Sequence, residues 1–312
     1  MTTTKAVRIH SFGGPEHLLL DDVALAEPRD GEVLLRAHAA SVNPIDYKIR
    51  AGALPGVTQD QLPIVLGRDV AGTVESCGAD AWERLKQGDA LMALLGSDRG
   101  GYAEYVIVRP DEWAPIPAGL DFTAAAAVPL AGLTAWQGLF DHGGLREGQR
   151  VLIHGGAGGV GHFAVQFARA KGAHVLATAA GEDLDFVRGL GADAAIDYRT
   201  QRFEDHAQDM DLVLDLIGGE TQERSWAVLK RGGILVSTLA QPDPKRAAAE
   251  GKRGTNFVHR PNAAQLAEIV ALIAAGAVTP AIDAVFSLAD VRAAHDRIEH
   301  GHVRGKIVLT LA

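Results

Sequence analysis

Cysteine is almost missing from this chain: there is one, Cys77, in 312 residues. That excludes an intramolecular disulfide and a cysteine-rich zinc cluster. Within Val74-Glu-Ser-Cys-Gly78 the thiol reads as a small packed side chain rather than a nucleophile. Long apolar runs are also missing, since none approaches the ~18 residues needed to span a bilayer. The first residues, Met1-Thr-Thr-Thr-Lys-Ala-Val7, lack the apolar core of a signal peptide. A cytoplasmic location with no membrane partner is therefore expected. A basic block is absent too. With 30 Lys and Arg against 39 Asp and Glu, the net charge is −9, which argues against nucleic acid as a partner. No internal repeat is visible.

What is present is a large apolar fraction, 47%, and a length that suggests about two domains. The chain changes character near residue 122. Before it, strand-like runs alternate with Gly and Pro turns at Lys5–Ile9, Glu32–Ala39, Val70–Val74, Ala90–Leu95 and Ala103–Val108. That spacing predicts an all-β domain, a partly open barrel. After it, the runs Val151–His154, His174–Thr178, Ala194–Asp197, Leu212–Asp215 and Ile234–Ser237 read as strands. Phe163–Lys171, Asp183–Leu190 and Thr221–Leu229 read as helices between them. This alternation calls for a doubly wound parallel sheet. Asn256–Val258 is expected to close the sheet, and Gln241–Gly254 to be a mobile polar loop. Helix Ala263–Ala275 and strands Ala284–Phe286 and Lys306–Leu311 then return to the first domain.

The most informative segment runs from Val151 to Lys171. A short apolar strand leads into a glycine-rich turn, and a helical register follows. Gly156, Gly158 and Gly161 satisfy the G-x-G-x-x-G spacing of a dinucleotide-binding turn. In that reading Gly156 permits the tight turn, Gly158 lets backbone approach a pyrophosphate, and Gly161 lets the helix pack close to the strand. The free N–H groups at the helix start then face the anion. Glycine-rich turns also occur for structural reasons alone, but here strand, turn and helix stand in the required order.

Seven segments in sequence order resemble the medium-chain dehydrogenase/reductase superfamily, in the zinc-independent quinone oxidoreductase branch that includes zeta-crystallin. They are Ser41–Tyr47, Leu66–Val74, Gly100–Tyr105, Ala131–Trp136, His154–Gly161, Gly189–Asp193 with Ile196–Arg199, and Gly301–Val308. The resemblance implies an α/β protein with two parts. A GroES-like β-barrel catalytic domain (1–122, completed by 261–312) joins a Rossmann doubly wound domain (123–260). It also implies a nicotinamide coenzyme. By resemblance Asn43, Asp46 and Tyr47 wall the substrate pocket and Thr134 lies near the nicotinamide. Zinc-dependent relatives carry a Cys at the position of Asn43 and a His at the position of Arg68. Neither Asn43 nor Arg68 is an ordinary zinc ligand, so no metal is expected. His300 and His302 read as solvated, His154 as a strand end and His162 as part of the first helical turn.

Without a metal, oxidation of a simple alcohol needs a base to take its proton. The Tyr-x-x-x-Lys pair of short-chain dehydrogenases is missing, because Tyr47, Tyr102, Tyr105 and Tyr198 are followed four residues on by Ala51, Val106, Arg109 and Arg202. A quinone or conjugated enone is already electron-poor and accepts hydride with only a hydrogen bond to its oxygen. Tyr47 is then the donor to that oxygen, or else a packed tyrosine with a satisfied hydroxyl. Asn43 could instead cap a turn before Pro44, and Arg68 could only pair with Asp69. A dinucleotide fold that selects NADH has an acid near residues 178–181. Thr178-Ala-Ala-Gly181 has none, while Glu182 and Asp183 come late and could simply start a helix. NADPH is therefore expected over NADH, with Tyr198, by resemblance, and Arg199 at the 2′-phosphate, although Arg199 could equally be solvated. The expected cradle is Gly156, Ala157, Gly158, Gly159, Val160, Gly161, Thr178, Tyr198 and Arg199, and by resemblance Ile217, Gly218, Ser237, Thr238 and Leu239 at the later strand ends line the ribose and nicotinamide. Gly218 and Gly219 could also be ordinary strand-end turns. The expected activity is NADPH-dependent reduction of a quinone or related conjugated carbonyl. The alternatives are an alkenal/enone double-bond reductase and, from another class, a non-catalytic NADPH-binding or sensor protein. A homodimer is the expected assembly.

Overall fold

The computed structural model describes residues 3–311. Two compact units are present. One comprises Met1–Leu130, Pro261–Ala274 and Pro280–Ala312, and the other Ala131–Arg260 and Ala275–Thr279.

The first unit is built on strands β1 (Thr3–Ile9), β2 (Leu19–Ala24), β3 (Val33–Val42), β4 (Ile64–Val65), β5 (Asp69–Cys77), β6 (Ala90–Leu94), β7 (Tyr105–Val108) and β8 (Trp113–Pro115). Helix α1 (Pro44–Arg50) follows β3, and α2 (Phe122–Ala126) precedes α3 (Pro129–Trp136), which runs on into the second unit. β3 is buried along most of its length, with only Arg36 exposed and His38 half-buried in its middle. It pairs antiparallel with β5 and, along its first four residues, with β7. A cluster including Val33, Leu35, Val70, Leu91, Leu95, Val108 and Ile307 forms the core.

The second unit contains β9 (Arg150–His154), β10 (His174–Ala179), β11 (Ala194–Asp197), β12 (Met210–Asp215), β13 (Leu229–Ser237) and β14 (Arg253–Asn256). All pair in parallel in the order β11-β10-β9-β12-β13-β14. Chain direction across the sheet reverses between β9 and β12, the switch point at which such sheets bind ligands. Helices α4 (Gly161–Ala170), α5 (Leu184–Gly189), α6 (Gly219–Ser225) and α7 (Pro244–Glu250) connect the strands. Phe163, Val165 and Phe167 of α4 are fully buried. Two buried glutamines fasten the ends of this unit's segments. Gln137 accepts the N–H of Arg260 at 3.1 Å and donates to its carbonyl at 2.9 Å. Gln166 does the same to Thr279, at 2.8 and 3.0 Å. The chain then adds α8 (Ala263–Ala274), β15 (Ile282–Ser287), α9 (Val291–His300) and β16 (Lys306–Thr310) to the first unit. Among the described residues no helix is long and apolar enough to cross a membrane.

Three expectations about local structure fail. Gln241–Gly254 is not a mobile loop: Asp243 accepts the N–H groups of Lys245 and Arg246 and starts α7 at Pro244. The edge strand is Arg253–Asn256 rather than Asn256–Val258, and Val258 is exposed. The helix predicted over Thr221–Leu229 ends at Ser225, where a short 3-10 turn leads into β13 at Leu229.

Candidate active site

The coenzyme-type cradle lies in the second unit at the C-terminal ends of β9, β10, β12 and β13. The left-handed residue of the glycine turn is Gly155 (φ +76°), not Gly156. Gly156 is required for another reason, because a Cβ there would come within 2.8 Å of the Ala177 Cβ on β10. A Cβ on Gly161 would lie 2.0 Å from the Gly155 carbonyl oxygen, so α4 can start this close to the strand only without a side chain. Gly158 differs: its Cβ would meet nothing closer than the Gly155 oxygen at 3.5 Å, an ordinary contact.

Hydrogen bonds divide the turn's donors into two sets. Gly155 donates to Thr178 Oγ1 at 3.2 Å, Gly156 to the Thr178 carbonyl at 2.8 Å and Gly158 to the Gly155 carbonyl at 3.1 Å. Among the described residues nothing accepts from the N–H groups of Ala157, Gly159, Val160 or Gly161. These are donors at the start of a helix, where positive dipole charge also gathers. The residues present therefore fit a pyrophosphate.

The later strand ends are set by Asp215, which is fully buried. Its Oδ1 accepts the N–H groups of Ile217 (3.0 Å) and Gly218 (2.8 Å), and its Oδ2 accepts from Gln222 and from the Ser237 hydroxyl. Ser237 Oγ in turn accepts the Leu239 N–H at 3.1 Å, and Thr238 donates to the Asp215 carbonyl. One carboxylate thus shapes both turns and leaves two apolar side chains, Ile217 and Leu239, 54% and 41% exposed. Gly218, at φ +76°, is a residue the turn requires. Tyr198 and Arg199 follow β11. Tyr198 is exposed, and the Arg199 guanidinium lies over its ring and pairs with Glu182 at 2.8 Å. Thr134 is buried in α3.

The first unit holds a buried polar cluster around Asn43. Asn43 is also the N-cap residue of α1, whose first turn it closes with Asp46. The Asn43 backbone N–H donates to Asp46 Oδ2 at 2.8 Å, while the side-chain amide donates to Asp69 Oδ2 at 2.9 Å and accepts from Lys306 Nζ. Asp69 also accepts from the Ser41 hydroxyl and from the Leu130 N–H. Asp46 Oδ2 further accepts the Tyr102 hydroxyl at 2.9 Å, and Asp46 Oδ1 is buried with no partner among the described residues. Burial pushes the Asp46 carboxyl up to about 6 against the pull of the Asn43 N–H and the Tyr102 hydroxyl. Burial also lowers the Lys306 ammonium. Tyr47, next to Asp46 on α1, is half-buried, and its hydroxyl has no partner among the described residues.

Arg68 does not pair with Asp69. It donates through Nε and Nη2 to the Leu95 carbonyl at 3.0 and 2.6 Å. Asp69, the first residue of β5, enters the buried cluster, whereas Arg68 lies in the bend before the strand and does not. Asp46 and Arg68 nonetheless line the same cavity of about 810 Å³, with Ile49, Val57 and Leu66. Sequence reasoning missed Lys306, Asp215 and His154. An acid ending the apolar run Leu212–Asp215 is a signal that could have marked Asp215. Nothing local marks Lys306 as a partner of Asn43, 263 residues away.

Residues 29–118 match the alcohol dehydrogenase GroES-like domain family, and residues 190–309 match the zinc-binding dehydrogenase family. The chain is 34% identical to the mitochondrial NAD(P)H oxidoreductase RTN4IP1 of Danio rerio, over 90% of this chain and 84% of that protein. It is 35% identical to the chloroplastic NADPH-dependent alkenal/one oxidoreductase of Arabidopsis thaliana, over 98% and 79%. The structure of the quinone oxidoreductase from Coxiella burnetii superposes with a TM-score of 0.92 at 35% identity, covering 100% of both chains. The zinc implied by one family's description does not fit here. Asn43 Oδ1 is taken by an ammonium and Arg68 is itself a cation. Among the described residues no group of three or more His, Cys, Asp or Glu could hold a metal ion. The chain belongs to the medium-chain dehydrogenase/reductase superfamily, in its zinc-independent quinone oxidoreductase-like branch, and is an NAD(P)H-type oxidoreductase.

Proposed function

We propose that the protein is an NADPH-dependent, metal-independent reductase of quinones or related conjugated carbonyls. The observation that carries this reading is the pairing of a glycine cradle with unused N–H donors and a donor set that cannot hold zinc. A bound reduced nicotinamide supplies hydride. The chain's own residues then position the substrate and stabilise charge on its oxygen. Tyr47 is the donor to that oxygen, because its hydroxyl is unengaged, whereas the Tyr102 hydroxyl is held by Asp46. Asn43 and Asp46 fix α1, and with it Tyr47. Asp46 and Arg68 line a cavity of the first unit. Thr134, Ile217, Gly218, Ser237, Thr238 and Leu239 form the nicotinamide and ribose side of the cradle. With a quinone, one hydride and one proton give the hydroquinone. With an enone, hydride goes to the β carbon and a proton to the α carbon. The alkenal/one reductase among the relatives supports keeping both substrate classes in one proposal. NADPH carrying deuterium on its transferable position tests it. Deuterium at the β carbon of the product marks enone reduction, and hydroquinone formed with matching coenzyme oxidation marks quinone reduction. Neither product with either class overturns the proposal.

The NADPH preference rests on Tyr198 and Arg199, with no acid between Thr178 and Gly181. Arg199 is already paired with Glu182, so a phosphate must draw it away. Arg199→Ala is expected to weaken NADPH roughly tenfold more than NADH. The wild-type preference should shrink as salt rises, because an exposed charge pair is screened. Dissociation constants for both nucleotides at low and high salt check this, and equal losses remove Arg199 from the site.

A further inference from the structure

His154 ends β9 directly before the glycine turn and is fully buried. The hydrogen-bond directions around it follow from the Ser225 hydroxyl. The Ser225 hydroxyl is spent on the Thr221 carbonyl at 2.6 Å, so Ser225 Oγ accepts from His154 Nε2–H at 3.0 Å. With its proton on Nε2, the ring presents a lone pair at Nδ1, which accepts the Thr178 hydroxyl at 3.1 Å. Thr178 Oγ1 is thereby turned to accept the Gly155 N–H at 3.2 Å. Each donor from Gly155 through Thr178 and His154 to Ser225 points the same way, and the chain ends on the Thr221 carbonyl. The chain runs from the left-handed residue of the turn to α6, beneath the later strand ends.

We propose that His154, as the neutral Nε2–H tautomer, is a positioning residue that fixes the coenzyme turn through Thr178. This proposal rests on the coenzyme reading above. Two hydrogen bonds hold the turn onto Thr178, one through its hydroxyl and one through its carbonyl. Only the first depends on a side chain. Its loss frees Gly155 to rotate and lets the unused donors of Ala157 to Gly161 drift from their common direction. A doubly protonated ring has no lone pair for Thr178 and would break the relay. Burial keeps the ring neutral by pulling its pKa down to about 4. The edge of the ring is packed against Phe203, with centroids 4.7 Å apart, so it cannot swing away to find other partners.

The test uses the intact chain, with NADPH and NADH as probes. Thr178→Val keeps the shape and removes the hydroxyl, and it is expected to raise both dissociation constants about tenfold. Both should change equally because the pyrophosphate is common to the two. The coenzyme KM should rise in step with the dissociation constants. Thr178→Ser restores the hydroxyl and should bind within about twofold of wild type. Nitrogen NMR of the wild-type imidazole should show the proton on Nε2 and none on Nδ1 between pH 6 and 8, a reading that does not depend on any variant folding. Unchanged affinity in Thr178→Val, failure of Thr178→Ser to recover, or a proton on Nδ1 would each overturn the relay. If the unmutated chain binds neither nucleotide, the coenzyme reading itself falls, and this proposal with it.

Discussion

Gly158→Val should remove coenzyme binding while leaving the chain folded. The reason is an asymmetry among the turn's glycines. A Cβ on Gly158 meets only the Gly155 oxygen at 3.5 Å, so the unliganded turn accommodates a side chain. The same side chain would stand on the approach to the donors of Gly159 and Val160. Charge-assisted hydrogen bonds contribute about 1.5–3 kcal/mol each, so loss of two corresponds to at least about a hundredfold in affinity. Gly161→Val is the contrasting variant. Its Cβ would overlap the Gly155 carbonyl at 2.0 Å, and it should lower the melting temperature as well as the affinity. Fluorescence titration with NADPH, together with thermal melts, separates the two. Wild-type affinity in Gly158→Val would make these glycines purely structural.

The second large effect is on stability. Lys306→Met should destabilise the first unit by about 3–5 kcal/mol, the usual cost of leaving one partner of a buried ion pair alone. Lys306 Nζ holds Asn43 Oδ1 and lies 3.7 Å from Asp69 Oδ2, with both charged groups almost wholly buried. Removing the ammonium leaves the Asp69 carboxylate with neutral donors only: Ser41, Asn43 and the Leu130 N–H. At roughly 2–4 °C per kcal/mol for a unit of this size, the melting temperature should fall by about 6–20 °C. Adding Asp69→Asn removes the stranded charge and should recover at least about 1 kcal/mol, a coupling that a double-mutant cycle reads directly. A melt within about 2 °C of wild type for Lys306→Met would show that the pair contributes little.

The legible and illegible parts of the sequence divide along a physical line. Where one face of an element is patterned over several residues, the reading holds: β9, β10 and β12 begin within two residues of their expected starts, and the helix after the turn ends one residue early, at Ala170. Short elements whose limits are set by a cap escape it. α7 exists because Asp243 caps it, and α1 because Asn43 and Asp46 close its first turn. The glycine pattern marked the turn between β9 and α4 but assigned its tight bend to Gly156, since only dihedral angles distinguish it from the left-handed Gly155. The polar partners of Asn43 and His154 were out of reach for a simpler reason. Lys306 and Asp69, Thr178 and Ser225 stand 24 or more residues from the groups they serve, and no local pattern encodes such a pairing.

The central claim is reduction of a conjugated carbonyl by a nicotinamide coenzyme with no metal. Its most direct test is the rate of NADPH oxidation by chelator-treated protein, analysed for zinc by elemental analysis, with a panel of quinones and enones as acceptors. The account predicts turnover unchanged by the chelator and far less than one zinc per chain. One zinc per chain, with activity lost on chelation and restored by added zinc, would contradict it.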